Sequence, residues 1–275
     1  MKLKVYGGRG SIPIAHLGGS LYGGNTSCIT VESGGETLIL DAGSGLMLFQ
    51  HDLEALYPDY PNNIPDQHIL ISHLHLDHII GLGMFKPMFA TGSNTYIYTC
   101  SRDERPLKEQ VFGAYKAPLW PTDMSQSANA QCIEAHMDKP FQIGPFTVTF
   151  FLANHSDLTA SYHISDGHKT LVHLLDSELS TMAPDQYSKL IDYCKDADMV
   201  VADTAYSPED YPKYKGWGHS TIEHAVTLSQ DCGCKKMLMS HFSQHYSDAE
   251  ITSWAKYAGD PNKYILATEG MEILL

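Results

Sequence analysis

The sequence feature that most constrains this chain is the run His73-Leu74-His75-Leu76-Asp77-His78. It follows a short apolar run typical of a buried strand and precedes an apolar segment typical of a helix start. Side chains alternate along an extended segment, so the first two histidines and the aspartate are expected on one side, and His78 on another. Imidazoles and carboxylates are zinc-type ligands, and sites with two metal ions about 3.5–4 Å apart are common in hydrolases. The run therefore predicts a centre for two metal ions, in preference to a histidine-rich surface turn that binds none.

The pattern His-x-His-x-Asp-His is the signature of the metallo-β-lactamase superfamily, and the chain resembles that family over nearly its full length. The resemblance implies an αββα sandwich, an α/β (α+β) fold in which two packed sheets are flanked by helices. Strand patterns alternate with helical patterns in two halves of the chain, which is consistent with that architecture. Since no segment rich in Pro, Gly or Ser divides the sequence, residues 1–275 are expected to form a single hydrolase domain.

The same resemblance implies further ligands at the ends of later strands. It expects a histidine after the strand of residues 146–152, a bridging carboxylate after the next hairpin, and a last histidine after the strand of residues 235–240. The predicted ligands of one ion are His73, His75 and His155, those of the other are Asp77, His78 and His241, and Asp176 is shared. Zinc is the expected ion, and manganese and iron also suit such ligands.

Two residues are predicted to act in catalysis beyond ligation. Asp77 is placed to orient the attacking oxygen, and His219 is the predicted general acid for a leaving alkoxide. The segment Gly218-His219-Ser220-Thr221 resembles the His-Ser-Thr loop of the transfer-RNA 3′-end-processing endonucleases, in the phosphodiesterase branch of the superfamily. Their His-Glu-Ala-Thr loop is here Ala202-Asp203-Thr204-Ala205, so Asp203 either replaces the glutamate or only accepts a hydrogen bond. The alternative for His219 is a neighbour of a helix cap with no catalytic role.

The expected function is that of a dinuclear-metal-dependent hydrolase, a phosphodiesterase acting on a small cyclic or nucleotide-like phosphodiester. The segments 8–13 and 24–28 resemble the bacterial group that includes phosphoribosyl cyclic phosphodiesterase. One alternative is a lactonase or other carboxylic-ester hydrolase on the same metals, and another is a transfer-RNA 3′-processing endonuclease. A sensor that retains the fold is disfavoured because all seven ligands are present.

Charge narrows the class of substrate. Eighteen lysine and arginine residues against thirty-two aspartate and glutamate residues give a formal charge of −14. Phosphate backbones require clustered basic residues, so extended nucleic-acid binding is disfavoured. Two divalent ions would offset roughly four of these negative charges, and would do so inside the cleft, so a small anionic substrate is compatible with the acidic chain.

Residues 105–130 are expected to form an irregular loop, and loops of this length inside a domain are commonly functional. The loop is a candidate lid over the substrate site, and two of its aromatic residues are candidate substrate contacts. The candidate substrate-binding residues are His219, Asp203, Tyr115 and Trp120.

The location expected from the sequence is the cytoplasm. No signal peptide is visible, and the longest apolar runs are far short of the ~20 residues of a membrane span. The six cysteines lack framework spacing, so they are expected to be reduced, with Cys232 and Cys234 in the core or a turn. A homodimer is expected only because two-fold dimers are the commonest soluble oligomers.

Overall fold

The computed structural model describes residues 1–15, 20–137 and 139–275. Within these ranges the strands are β1 (Lys2–Gly7), β2 (Cys28–Ser33), β3 (Glu36–Leu40), β4 (Gln67–Leu70), β5 (Thr95–Thr99), β6 (Ala130–Glu134), β7 (Phe141–Ile143), β8 (Phe146–Leu152), β9 (Ala160–Ser165), β10 (Thr170–Leu174), β11 (Met199–Asp203), β12 (Lys236–Ser240), β13 (Tyr264–Leu266) and β14 (Glu272–Leu274). The α-helices are α1 (Leu46–Leu56), α2 (Leu76–Ile79), α3 (Leu107–Val111), α4 (Pro184–Cys194), α5 (Tyr211–Tyr214), α6 (Ile222–Cys232), α7 (Asp248–Ser253) and α8 (Ala255–Ala258). Short 3₁₀ segments occupy Ile80–Met84, Lys86–Phe89, Met124–Gln126 and Leu179–Thr181.

The strands form two mixed sheets of seven strands each. The order is β14-β1-β2-β3-β4-β5-β6 in the first sheet and β13-β12-β11-β10-β9-β8-β7 in the second. Strands β3 to β6 run parallel, and so do strands β10 to β13. Helix α1 packs on the first sheet, and helices α4 and α6 pack on the second. The predicted αββα sandwich is confirmed.

The faces between the two sheets are apolar, because alternate residues of the strands point inward. Leu3 and Val5 of β1 belong to the same buried cluster as Val148 of β8 and Ile164 of β9. The buried hydroxyl of Tyr162 crosses between the sheets and donates to the carbonyl oxygen of Ile71 at 2.8 Å. This contact fixes the end of β4, where the histidine-rich run begins.

The parallel order of the strands places the site. Carboxyl ends of parallel strands meet at one edge of a sheet, where α/β proteins bind their ligands. Strand β4 precedes the histidine-rich run, and strands β10, β11 and β12 end just before Asp176, at Asp203 and just before His241. Residues distant in the sequence therefore meet at one edge of the sandwich.

The segment of residues 105–130 differs from the irregular loop expected from the sequence. It contains helix α3 and the 3₁₀ turn Met124–Gln126. Phe112 and Tyr115 are buried in the apolar cluster that the first sheet forms with helix α1. Its aromatic residues pack inward because they cover that apolar surface. Strands β6 and β7 and helix α5 also escaped prediction, since they are short and lack a clear period.

No helix in the described part of the chain is long and apolar enough to cross a membrane. Both Cys232 and Cys234 are buried, in agreement with the expectation of core or turn residues. His163 lies in β9 and His173 in β10, the two strands of one hairpin.

Candidate metal centre

One group of potential ligands lies where β4, β8 and β10 end. His73, His75, His155 and Asp176 each offer a ligand atom within 4.8 Å of the others. The nitrogen His73 Nε2 lies 2.8 Å from His75 Nδ1, which lies 3.3 Å from His155 Nε2. Oxygen Oδ2 of Asp176 lies 3.6 Å from His73 Nε2 and 3.7 Å from His155 Nε2. We refer to these four residues as the first group.

A second group forms beside the first, where α2 begins and β12 ends. Asp77, His78 and His241 also offer ligand atoms within 4.8 Å of one another. His78 Nε2 and His241 Nε2 are 3.2 Å apart, and Asp77 Oδ2 is 3.2 Å from His241 Nε2. We refer to these three residues as the second group.

Asp176 lies between the groups and presents one oxygen to each. Its Oδ2 faces the first group, whereas its Oδ1 lies 3.1 Å from His78 Nε2 and 3.2 Å from His241 Nε2. Burial favours the neutral carboxyl, but His241 and His78 outweigh it and hold the pKa of Asp176 well below its usual range. A buried, ionised carboxylate with one oxygen toward each group is suited to bridging two cations.

The start of helix α2 separates the histidine-rich run into two parts. His75 is extended, with φ −64° and ψ 149°, and the helix begins at the next residue. Asp77 and His78 therefore lie in the first helical turn, where their side chains meet His241 to form the second group. The expectation that Asp77 shares a side with His73 and His75 is wrong, because strand alternation ends at the helix start.

The donor set fits divalent metal ions. In a tetrahedral zinc site with Zn–N distances of 2.0–2.1 Å, neighbouring ligand nitrogens lie about 3.3 Å apart, close to the spacing within both groups. Burial lowers the pKa values of His73 and His155, which leaves neutral imidazoles with free lone pairs. Among the described residues, the buried Oδ1 of Asp176 has no hydrogen-bond partner. A cation between the groups would satisfy it.

Behind the second group lies a carboxylate that the sequence alone did not predict. Asp41 is buried, follows β3, and accepts a hydrogen bond from His78 Nδ1 at 2.8 Å. Its oxygens also accept from the backbone N–H and hydroxyl of Ser72 at 2.7 and 3.1 Å. This arrangement directs His78 Nε2 at the site, as is usual for metal-binding histidines. The only sequence signal was an aspartate at a strand end before a glycine turn.

The glycine-rich turn after β1 also borders the second group. The backbone N–H of Ser11 donates to Asp77 Oδ2 at 2.7 Å. A Cβ at Gly10 would lie 2.5 Å from the His241 ring, so only glycine allows the turn to approach this closely. The turn thus orients one residue of the second group and packs against another.

Three residues of this region have the left-handed backbone conformation that non-glycine residues rarely adopt. Asp41, Asp176 and His241 have φ values of 58°, 51° and 67°. Each such conformation costs about 1–3 kcal/mol, and such residues cluster at functional sites. The fold accepts strain at the positions that aim these side chains.

His219 lies over the two groups, and Asp203 supports it. Its Nδ1 donates to Asp203 Oδ2 at 2.8 Å and lies 3.9 Å from Asp176 Oδ2. The ring stacks on His241 at 5.1 Å between centroids. Burial lowers the pKa of His219, but the Asp203 carboxylate more than compensates, and the pKa is raised to about 9. The contact with Asp203 therefore favours the protonated form of His219.

Tyr115 and Trp120 do not lie among these residues. The buried Tyr115 hydroxyl donates to the carbonyl oxygen of Ile79 at 2.6 Å, and its ring packs edge-on against Trp120. Both rings cover the segment that follows α2. This placement gives them a packing role, and a substrate contact through Tyr115 has no support.

Residues 36–242 match the family model described as the beta-lactamase superfamily domain, and the chain belongs to that superfamily. It is 25% identical over 242 residues to the probable metallo-hydrolase YhfI of Bacillus subtilis (strain 168), covering 88% of this chain and 86% of that protein. It is 22% identical to a ribonuclease Z of Bradyrhizobium sp. (strain ORS 278), covering 83% and 87%. The solved structure of Zn(2+)-bound PqqB from Methylobacterium extorquens shares the fold, with a TM-score of 0.70, 15% identity and full coverage of both chains. The predicted class of metal-dependent hydrolase is confirmed, and the individual ligand roles stay predictions.

Proposed function

We propose that this protein is a dinuclear phosphodiesterase that hydrolyses a small cyclic or nucleotide-like phosphodiester, with zinc as the ion in both groups. The observation that carries the proposal is the hydrogen-bonded pair of His219 and Asp203, with a 2.8 Å contact, directly beside Asp176 and His241. A leaving alkoxide needs a proton, and a histidine held by a carboxylate supplies one. A lactone or ester hydrolase on the same ligands has less need of such an acid.

The residues divide the chemistry among themselves. When bound, two divalent ions would supply Lewis acidity and activate a water for in-line attack. Asp77, held by the Ser11 N–H, orients the attacking oxygen. Asp203 occupies Nδ1 of His219, so the other ring nitrogen, Nε2, delivers a proton to the leaving oxygen.

Charge and size favour a small anion as substrate. Two divalent cations and the carboxylates of Asp77 and Asp176 leave a net positive site, which attracts a singly charged phosphodiester. The formal charge of −14 across the chain opposes the approach of a long polyanion.

The test compares two phosphodiesters that differ in leaving group. Bis(p-nitrophenyl) phosphate releases a nitrophenolate that needs no proton, whereas 2′,3′-cyclic AMP releases an alkoxide. We expect His219→Ala in the zinc-loaded protein to lower kcat on the cyclic nucleotide by about 10²–10⁴-fold, with a clearly smaller loss on the nitrophenyl ester.

The matched control is His51→Ala, which removes an exposed histidine on helix α1 and should change neither rate. Chelation should abolish both activities, and readdition of zinc should restore them. Turnover of a lactone that exceeds phosphodiester turnover and survives His219→Ala would favour the carboxylic-ester alternative.

A transfer-RNA 3′-processing endonuclease is the second candidate, because the relative from Bradyrhizobium is by name a ribonuclease. The chemistry would be the same and the substrate larger. Precursor transfer RNA and 2′,3′-cyclic AMP should therefore be compared at equal enzyme and in rising salt. Efficient, salt-sensitive cleavage of the RNA would favour this candidate.

A further inference from the structure

Glu178 is a buried carboxylate close to the metal centre that the proposed chemistry does not use. It lies two residues after Asp176 and is 3% exposed. Its Oε1 accepts from the Tyr211 hydroxyl at 2.5 Å and from the Gly216 N–H at 2.7 Å. Its Oε2 accepts from the Gly218 N–H at 3.0 Å. The carboxylate thus holds the segment that ends at His219 by three hydrogen bonds.

Burying a carboxylate is unfavourable unless it is paired or fully hydrogen-bonded. Among the described residues, no lysine or arginine nitrogen lies within 4.0 Å of the Glu178 oxygens. Its compensation comes from two backbone N–H groups and one hydroxyl. Packing alone would not require a charged side chain at this position. The carboxylate is therefore explained by the several hydrogen bonds that it accepts.

The main chain of Glu178 holds a second segment of the site. Its N–H donates to the carbonyl oxygen of Asn154 at 2.8 Å, and the Asn154 side-chain amide donates back to the Glu178 carbonyl at 2.8 Å. Asn154 immediately precedes His155. Glu178 therefore joins the segments that deliver His155, Asp176 and His219.

Gly218 is the point where these segments meet. Its carbonyl oxygen accepts from His155 Nδ1 at 2.9 Å, which directs His155 Nε2 toward the first group. Its φ of +86° suits glycine, and a Cβ there would lie 2.2 Å from His155 Nδ1. One peptide segment thus contacts His155 through its carbonyl, Glu178 through its N–H, and carries His219 as the next residue.

We propose that Glu178 is a positioning residue that fixes the Gly216–Gly218 segment and thereby orients both His155 and His219. The part that concerns His219 rests on the proposed function, whereas the part that concerns His155 does not. Loss of the carboxylate frees the two N–H groups, lets the Gly218 carbonyl move from His155, and misplaces the acid.

The test uses Glu178→Gln in the full-length, zinc-loaded protein. Glutamine keeps the shape and one acceptor oxygen, but its amide nitrogen is a donor and must face the N–H of Gly216 or of Gly218. We expect faster hydrogen exchange in residues 211–219 and a zinc affinity about 10–100-fold weaker by chelator competition. On 2′,3′-cyclic AMP we expect kcat to fall by about 10–100-fold with KM changed by less than about threefold.

Two variants serve as controls. Glu223→Gln removes the same charge from an exposed position on helix α6 and should change none of these quantities. Tyr211→Phe removes one hydrogen bond to Glu178 but keeps both glycine contacts, so its effects should be smaller than those of Glu178→Gln.

A double-mutant cycle separates positioning from general stabilisation. If Glu178 acts through His219, adding Glu178→Gln to His219→Ala should lower kcat little further. Equal losses with and without His219 would overturn that part of the proposal. Unchanged exchange and zinc affinity in Glu178→Gln would overturn the His155 part. Because exchange and zinc binding need no turnover, they test Glu178 even if phosphodiesters are not substrates.

Discussion

The first and second groups use the same kinds of ligand but sit in different surroundings. The first group reaches the surface through the exposed His75, and its other histidines are supported by neutral partners, a serine hydroxyl and a peptide carbonyl. The second group is wholly buried, and behind His78 lies the carboxylate of Asp41.

The second group, which is the more buried of the two, is also the more negatively charged. Only Asp176 is acidic in the first group, whereas the second faces Asp77, Asp176 and, one layer back, Asp41. Burial lowers the pKa of His78, but these carboxylates raise it well above its ordinary value overall, so a positive charge is favoured there. A buried, more anionic group should retain its ion more strongly than an exposed, less anionic one. The difference therefore predicts an ordered pair of ions, with the ion of the first group released first.

The largest expected effect comes from Asp176→Asn, which removes the charge that both groups share. Asparagine tolerates the left-handed backbone of this position, so the fold should persist. Both ions should bind far more weakly, and phosphodiester turnover should fall by roughly 10³-fold or more, since Lewis-acid stabilisation amounts to several kcal/mol. Elemental analysis checks the loss of metal, and thermal unfolding checks that the fold persists. Retention of both ions would mean that Asp176 does not bridge them.

A smaller effect, confined to one group, is expected from Asp41→Asn. His78 loses its charged partner, so the more tightly held ion should bind about 10–100-fold more weakly, while the weaker ion is unchanged. The two affinities should approach each other in a chelator titration.

The control for this prediction is Asp198→Asn, at the opposite end of β11. Asp198 pairs with Lys169 and Lys235 and has no contact with either group. It should leave both zinc affinities unchanged. If Asp41→Asn weakens both ions equally, the proposed contrast between the groups is wrong.

The smallest of these effects is expected from Gly10→Ala. Its new Cβ would lie 2.5 Å from the His241 ring, so the ring must shift, with a loss of roughly tenfold in affinity for the ion of the second group. Gly113→Ala, where the nearest atom would be 3.3 Å away, should have no effect on zinc binding. Zinc affinity unaltered by Gly10→Ala would show that His241 tolerates displacement.

How much the sequence predicted depended on how local each signal was. The run from His73 to His78 predicted a metal centre because several ligands lie within one short turn. His155, Asp176 and His241 were predicted only through the resemblance to a family, since each is a single residue at a strand end.

Asp41, the Ser11 N–H and Glu178 escaped prediction for a physical reason. Their roles depend on which strands are neighbours and on how backbone groups are aimed, and neither is encoded in spacing along the chain. Tyr115 shows the opposite difficulty. An aromatic residue in a long segment is equally suited to lining a site or covering a core, and here it covers the core.

The most direct test of the dinuclear account is turnover of bis(p-nitrophenyl) phosphate as zinc is added back stepwise to the chelated protein. If both ions are required, the first equivalent of zinc fills the second group and restores little activity, and turnover rises with the second equivalent. Full turnover after one equivalent would contradict a two-ion centre, and no turnover with both ions bound would contradict the phosphodiesterase.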